Sequence, residues 1–390
     1  MGRPIRAVIM RGGTSKAIIL HESDLPADPY ERDRLILEIF GSPDKRQIDG
    51  LGGADPLTSK LAIIGPARTE EPLAAGTHLT YTFGQVEIDA PEIDWLSLCG
   101  NITSAVGAFA VSEKFVQPTS PVTEVRIFNT NLNRVLTVEV PVENGAPVER
   151  GSYVVPGVPG TGAKILIDFS ATAGGATGRL LPTGNVVDRL QVHDFGKIEA
   201  SLVDIGNPHV FIRARDVGMR GIESAAEIDR NSDVRALLER IRGAAAERLG
   251  MATSAVRARH ETPATPILGV VSPPTSYVDE LTGKTLDETE MDLVSRLMFM
   301  QQTHKTYAGT STVCTGVASR LPGSIVNEVS RRHNRREVSI GHPAGIIKTE
   351  TVVDCVGEDY LVRRATLGRT ARRLMEGFAF VRDVDASSAP

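Results

Sequence analysis

Trp95-Leu-Ser-Leu-Cys99-Gly100-Asn101-Ile-Thr103-Ser104-Ala-Val-Gly107-Ala-Phe109-Ala reads as an apolar, strand-like lead-in, a Gly-Asn turn, and then small and apolar residues at helical spacing. The pattern predicts a helix with Cys99 at its amino terminus. There the unpaired N–H groups and the positive end of the helix dipole stabilise a thiolate and attract anions. A free cysteine is equally a small buried hydrophobe, so position alone admits a chemical and a packing role.

Working outward, the totals narrow the classes. A chain of 390 residues exceeds one ordinary core, and two domains of similar size are expected. With 41% hydrophobic and 23% charged residues, the composition is that of a soluble globular protein. A net charge of -5 gives no electrostatic basis for binding nucleic acid or an anionic membrane, and 5% aromatics argue against base-stacking platforms. Cys99, Cys314 and Cys355 lie far apart and match no zinc-ligand spacing. Neither a disulfide framework nor a metal site is expected, and a cytoplasmic location fits. Met1-Gly-Arg-Pro-Ile-Arg6 lacks the apolar core of a signal peptide, and no apolar run approaches membrane length.

Upstream of the Cys99 stretch, residues 5–9 and 17–20 read as a hairpin around the turn Arg11-Gly-Gly-Thr-Ser-Lys16. This tip lacks the first glycine of a phosphate loop and leads into a strand, which excludes a nucleotide reading. Arg11, Thr14, Ser15 and Lys16 are either carboxylate-binding groups or solvated turn residues. A helix is predicted from Asp28 or Pro29 to about Phe40. The Gly-rich segment 47–60 then runs into a strand at 61–64. Lys60, behind Ser59, is either an exposed residue at a strand edge or a partly desolvated amine suited to act as a base. Further strands are expected at 79–83, 86–88, 122–129, 135–140 and 165–169.

Beyond a Gly-rich hinge at 174–184, the second half restates the first. A strand at 202–205, the turn Gly206-Asn207-Pro208-His209 and a returning strand echo the first hairpin. Ser311-Thr312-Val-Cys314-Thr315-Gly316 opens a second small-residue helix, and the charge-rich stretches 222–249 and 286–300 are expected as helical insertions. Ser387 to Pro390 are expected to fray. The expected fold is α+β, with two pseudo-symmetric domains, residues 1–184 and 185–390, each a sheet rolled around a central helix. The last residues are free to pack back on the first domain, and the active site falls in the interdomain cleft.

Two facing helix ends, each beside a cysteine and glycines, suit a small substrate with several carboxylates. Gly100, Asn101, Thr103, Ser104, Asn207, Ser311, Thr312, Thr315 and Gly316 are the candidate binding residues, with helix capping as the other role open to the hydroxyls. The chemistry best supported is proton transfer at a carbon acidified by carboxylates. It needs one base and one acid, with no metal and no cofactor, and lysine and cysteine are the candidates.

Met10-Arg-Gly-Gly-Thr-Ser-Lys16, Gly41-Ser-Pro-Asp44, Asp49-Gly-Leu-Gly-Gly-Ala54, Thr58-Ser-Lys60, Cys99-Gly-Asn101, Leu181-Pro-Thr-Gly184, Pro322-Gly323 with Val326-Asn327, and Arg369-Thr-Ala-Arg372 with Met375-Glu-Gly377 resemble the PrpF-type isomerases. That family includes methylaconitate cis-trans isomerase, methylitaconate isomerase and oxalomesaconate tautomerase, and the likeness covers nearly the whole chain. The resemblance implies a diaminopimelate epimerase-like fold and a cofactor-independent isomerase. Such an enzyme shifts a carbon–carbon double bond, or turns it cis-trans, in a small unsaturated di- or tricarboxylate. The family's catalytic lysine and cysteine fall on Lys60 and Cys99. Cys314 takes the place of the epimerases' second catalytic cysteine, where the isomerases would carry another residue, often Met. A two-cysteine epimerase or racemase using Cys99 and Cys314 is therefore the alternative, and a carboxylate-binding protein without catalysis a second. The partner expected is a small anionic unsaturated carboxylate, and a homodimer is an allowed assembly.

Overall fold

The computed structural model describes residues 3–68, 70–357 and 359–382. Ser387 to Pro390, expected to fray, lie outside the described residues. In the first half the chain forms β1 (Arg3–Gly12), β2 (Ser15–His21), α1 (Pro29–Phe40), β3 (Lys60–Pro66), β4 (Leu79–Val86), α2 (Gly100–Ser112), β5 (Val122–Asn129), β6 (Arg134–Glu143) and β7 (Ile165–Asp168). α1 starts where the sequence predicts. Pro29 has no N–H to leave unpaired, Asp28 accepts the Glu31 N–H at 2.9 Å, and Gly41 closes the helix at φ 75°. In the second half follow β8 (Asp188–Val192), β9 (Gly196–Ile205), β10 (Asn207–Arg213), α3 (Ser232–Arg248), β11 (Ile267–Ser272), β12 (Leu293–Phe299), α4 (Gly309–Ala318), β13 (Glu337–His342), β14 (Gly345–Val356), β15 (Asp359–Arg369) and β16 (Ala371–Val381).

Strand pairing repeats between the halves. β1 and β2 pair antiparallel, β2 and β3 parallel, β3 and β4 antiparallel, β4 and β5 parallel, β5 and β6 antiparallel. The series from β9 to β14 runs through the same alternation. In each half one helix, α2 or α4, lies inside the curve of the sheet. α2 is buried from Gly100 to Val111 and α4 along its whole length, as expected of helices built from small and apolar residues on every side. This is the diaminopimelate epimerase-like architecture. The halves are joined edge to edge through β7 and β15, and β16 returns to pair with β1 from Arg3 opposite Val381 to Gly12 opposite Ala371. Among the described residues no helix is long and apolar enough to cross a membrane.

Two expectations are corrected. The stretch 286–300 is not a helical insertion. Leu293–Phe299 is a central strand between β11 and β13, so both of its faces are covered, and an apolar run buried on both faces has no period to tell strand from helix. Its one charge, Arg296, is accommodated by donating to the Glu223 carbonyl at 2.6 Å and lying 4.9 Å over the Tyr277 ring. The lead-in to Cys99 is also not a strand. Only Ile93–Asp94 pair, and residues 95–98 run as irregular chain.

Candidate active site

Cys99 is the N-cap of α2, with extended backbone and no capping bond from its side chain, and it is half-buried. The residue before it is held from the other half of the molecule. The Asn207 amide accepts the Leu98 N–H and donates to the Leu98 carbonyl, both at 2.8 Å, and also donates to Thr310 Oγ1 at 3.1 Å. α4 starts beside α2. A Cβ on Gly100 would lie 3.0 Å from the Thr310 nitrogen, and one on Gly309 would lie 3.0 Å from the Asn101 nitrogen. Only glycine permits this approach, which brings two sets of unpartnered first-turn N–H groups to one place.

Lys60 opens β3, beside Ala17 of β2 and opposite Gln85 of β4. It is only 3% exposed, so it is a desolvated amine and not a strand-edge lysine. Its Nζ donates to Gln85 Oε1. The Gln85 amide cannot turn over, because its Nε2 donates to the carbonyls of Ser59 at 3.0 Å and Pro56 at 3.2 Å. The rings of Phe83 and Phe299 stand 5.4 and 5.2 Å from the amine. Burial holds the Lys60 pKa below the ordinary lysine value, against a smaller opposing pull from Cys99, Asp55 and Asp94. Lys60 and Cys99 line one small cavity of about 20 Å³ together with Ser15, His304, Asn207 and the two helix starts. A desolvated amine, a thiol and convergent N–H groups in one small enclosure can exchange protons with an anionic ligand. Larger surface depressions, such as one of about 990 Å³ around Phe195 and Val256, contain neither group.

The pseudo-symmetric positions are chemically inert. Ile267 opens β11 as Lys60 opens β3, and Ala308 precedes α4 as Cys99 precedes α2; both line the same cavity. The placing of Cys314 opposite Cys99 is therefore corrected. α4 begins at Gly309, which puts Cys314 in its second turn, 0% exposed within the hydrophobic core, its thiol donating to the Val203 carbonyl at 3.6 Å. Burial pushes that thiol well above the ordinary cysteine pKa.

Several predicted binding groups are engaged elsewhere. Thr103 donates to the Cys99 carbonyl at 3.0 Å, Ser104 to Asn101 at 2.7 Å and Thr312 to Ala308 at 2.9 Å. Ser311 Oγ lies 2.7 Å from His209 Nε2, and Thr315 Oγ1 lies 2.8 Å from the Tyr307 hydroxyl. Gly316 makes room for Thr349 and Thr351 of β14. Arg11 turns away to Gly13 and Thr370, and Ser59 accepts from Gln47 at 2.8 Å. Lys16 is half-buried beside Gly53. Thr14 and Ser15 both accept from the Asn101 amide, at 3.0 and 3.2 Å, and Ser15 reaches the cavity.

Sequence reasoning missed three residues, Gln85, His304 and Arg369. His304 lines the cavity; its Nδ1 accepts the Thr306 N–H at 3.1 Å, which leaves the ring proton on Nε2. Burial, then Lys60, pushes it down to about 4. Arg369 ends β15, 1% exposed, donating to Asn101 Oδ1 at 2.6 Å. The only advance signal was that Arg369 falls in a family-like motif; nothing local marked the other two. Among the described residues no group of three or more His, Cys, Asp or Glu could hold a metal ion.

The family model described as PrpF protein matches residues 3–382. The chain is 51% identical over 378 residues to the 3-methylitaconate isomerase of Eubacterium barkeri, covering 97% of each chain. It is 36% identical to the 2-methyl-aconitate isomerase of Shewanella oneidensis, covering 97% of this chain and 96% of that one. A crystal structure of methylitaconate-delta-isomerase superposes with a TM-score of 0.81 at 49% identity, covering 100% of this chain and 99% of the other.

Proposed function

Because the chain belongs to the PrpF family, we propose that it is a cofactor-independent isomerase that moves a carbon–carbon double bond in a small unsaturated di- or tricarboxylate, with Lys60 and Cys99 as its proton-transferring pair. The observation that carries this reading is the asymmetry of the cavity. Lysine and cysteine stand on one side, and isoleucine and alanine stand at the equivalent places on the other. A two-thiol racemase would need a proton carrier on each face, and Ala308 supplies none.

In this mechanism the neutral Lys60 amine removes an allylic proton, and the C–H electron pair passes into a dienolate spread over the carboxylate. The Cys99 thiol gives its proton to the far carbon of the three-carbon unit, so the double bond shifts by one position. Rotation of the dienolate before reprotonation gives a cis-trans outcome instead. The ammonium and thiolate left behind are reset by one proton passing from amine to sulfur through solvent, and nothing is consumed. The two helix starts hold carboxylate charge with N–H groups already in place. We take residues 1–184 and 185–390 as the two units flanking the cleft, and the reducing cytoplasm as the setting in which Cys99 stays a thiol.

The likeness to the Eubacterium barkeri enzyme makes 3-methylitaconate the first substrate to try, followed by methylaconitate and oxalomesaconate. Incubation in deuterium oxide should place deuterium on the allylic carbons, and Lys60→Met and Cys99→Ser should each abolish turnover. Wash-in unchanged in both variants would remove the pair from the mechanism.

A further inference from the structure

Arg369 is a fully buried cation, and no carboxylate among the described residues pairs with it. Its Nε donates to Asn101 Oδ1, its Nη1 donates to the Gly368 carbonyl at 2.9 Å, and its Nη2 has no partner among the described residues. A buried guanidinium of this kind costs stability, and an apolar side chain of the same size would serve packing better.

The direction of the hydrogen bonds leading away from it gives a reason for its presence. Guanidinium only donates, so the atom of Asn101 that faces it is the amide oxygen. The Asn101 NH2 group must then point the other way, and it donates to Thr14 Oγ1 and Ser15 Oγ. Ser15 Oγ, already an acceptor and lining the cavity, is left with its own proton to give. We propose that Arg369 is a positioning residue that acts through Asn101 to aim the Ser15 hydroxyl proton at a carboxylate of the substrate. The inference rests on the proposed carboxylate isomerase. Burial lowers the Arg369 pKa to about 10, so the guanidinium stays charged at neutral pH.

Asn101→Asp separates positioning from support. The aspartate keeps its acceptor for Arg369 and gains an ion pair, while losing both donors, so Thr14 and Ser15 turn their protons toward it. With 3-methylitaconate as the probe, kcat/KM should fall about 10- to 100-fold, the worth of one charge-assisted hydrogen bond, with the thermal midpoint not lowered. Ser15→Ala should lose a similar factor, and adding Asn101→Asp to it should cost less than about 3-fold more, since the route ends at Ser15. Factors that multiply in the double variant, or an Asn101→Asp loss that follows a lowered midpoint, would overturn the relay while leaving the isomerase reading intact. A neutron density map of the parent protein reads the same point without turnover. Deuterium on Ser15 Oγ directed into the cavity is the expected result, and deuterium directed at Asn101 would refute it.

Discussion

Replacing Gln85 by glutamate tests whether Lys60 works as a neutral base. The amide oxygen of Gln85 accepts from the Lys60 amine, and the Ser59 and Pro56 carbonyls hold that amide in place. A carboxylate there replaces a dipole by a full negative charge. Two unit charges 4 Å apart interact by about 4 kcal/mol at an effective dielectric constant of 20, equivalent to roughly three pKa units. The carboxylate would also face the Ser59 and Pro56 carbonyls, which cancels part of this, so a rise of about one to three units in the Lys60 pKa is expected. The base is active only when unprotonated. Activity is lost as pH falls through its pKa, and raising that pKa moves the loss to higher pH. The acid limb of kcat/KM, followed by deuterium wash-in across pH, should shift upward in Gln85→Glu and not in Gln85→Leu. A Gln85→Glu limb that stays in place while the rate falls would show that the protonation state of Lys60 does not govern the reaction.

Two further outcomes follow from the same geometry. His209 and His304 are both pushed down to about 4 by burial, against about 6.5 in an unfolded chain, so the unfolded state binds the extra protons between these values. Stability is complete above pH 6.5 and lost as pH falls toward 4, by about 2 kcal/mol per imidazole at pH 5; urea unfolding at pH 7 and pH 5 measures it. Cys314→Ala should lower the unfolding free energy by the cost of a small core cavity, about 1 to 2 kcal/mol, and leave kcat/KM within about twofold. A large loss of turnover without loss of stability would return Cys314 to the mechanism.

The sequence made legible what is encoded locally. Cys99 at a helix start was readable because a Gly-Asn turn precedes small residues at helical spacing, and α1 because Asp28 and Pro29 are a cap and a first-turn residue. The register of α4 was not readable. Ala308 offers no capping side chain, so the Ser and Thr residues that follow looked like the start and carried Cys314 with them. β12 was hidden for the opposite reason, since a strand covered on both faces shows no alternation. Gln85, His304 and Arg369 are ordinary residues in their own segments. Each gains its role from a partner far away in the chain, as Arg369 does from Asn101, and no local pattern carries that information.

The return of β16 to β1 also sets the order in which the molecule can be completed as it is synthesised. β1 leaves the ribosome ahead of its partners and finds one neighbour at once in β2, but its other edge stays unpaired until β16 has been released. α1 and α2 can form early, yet Arg369, which holds the amide beside the thiol, arrives only in the penultimate strand. Contacts between residues so distant in sequence form slowly, and the exposed edge of β1 is meanwhile open to pairing with other chains. Synthesis rate and chaperone supply should therefore govern the yield of active protein more than the final stability does.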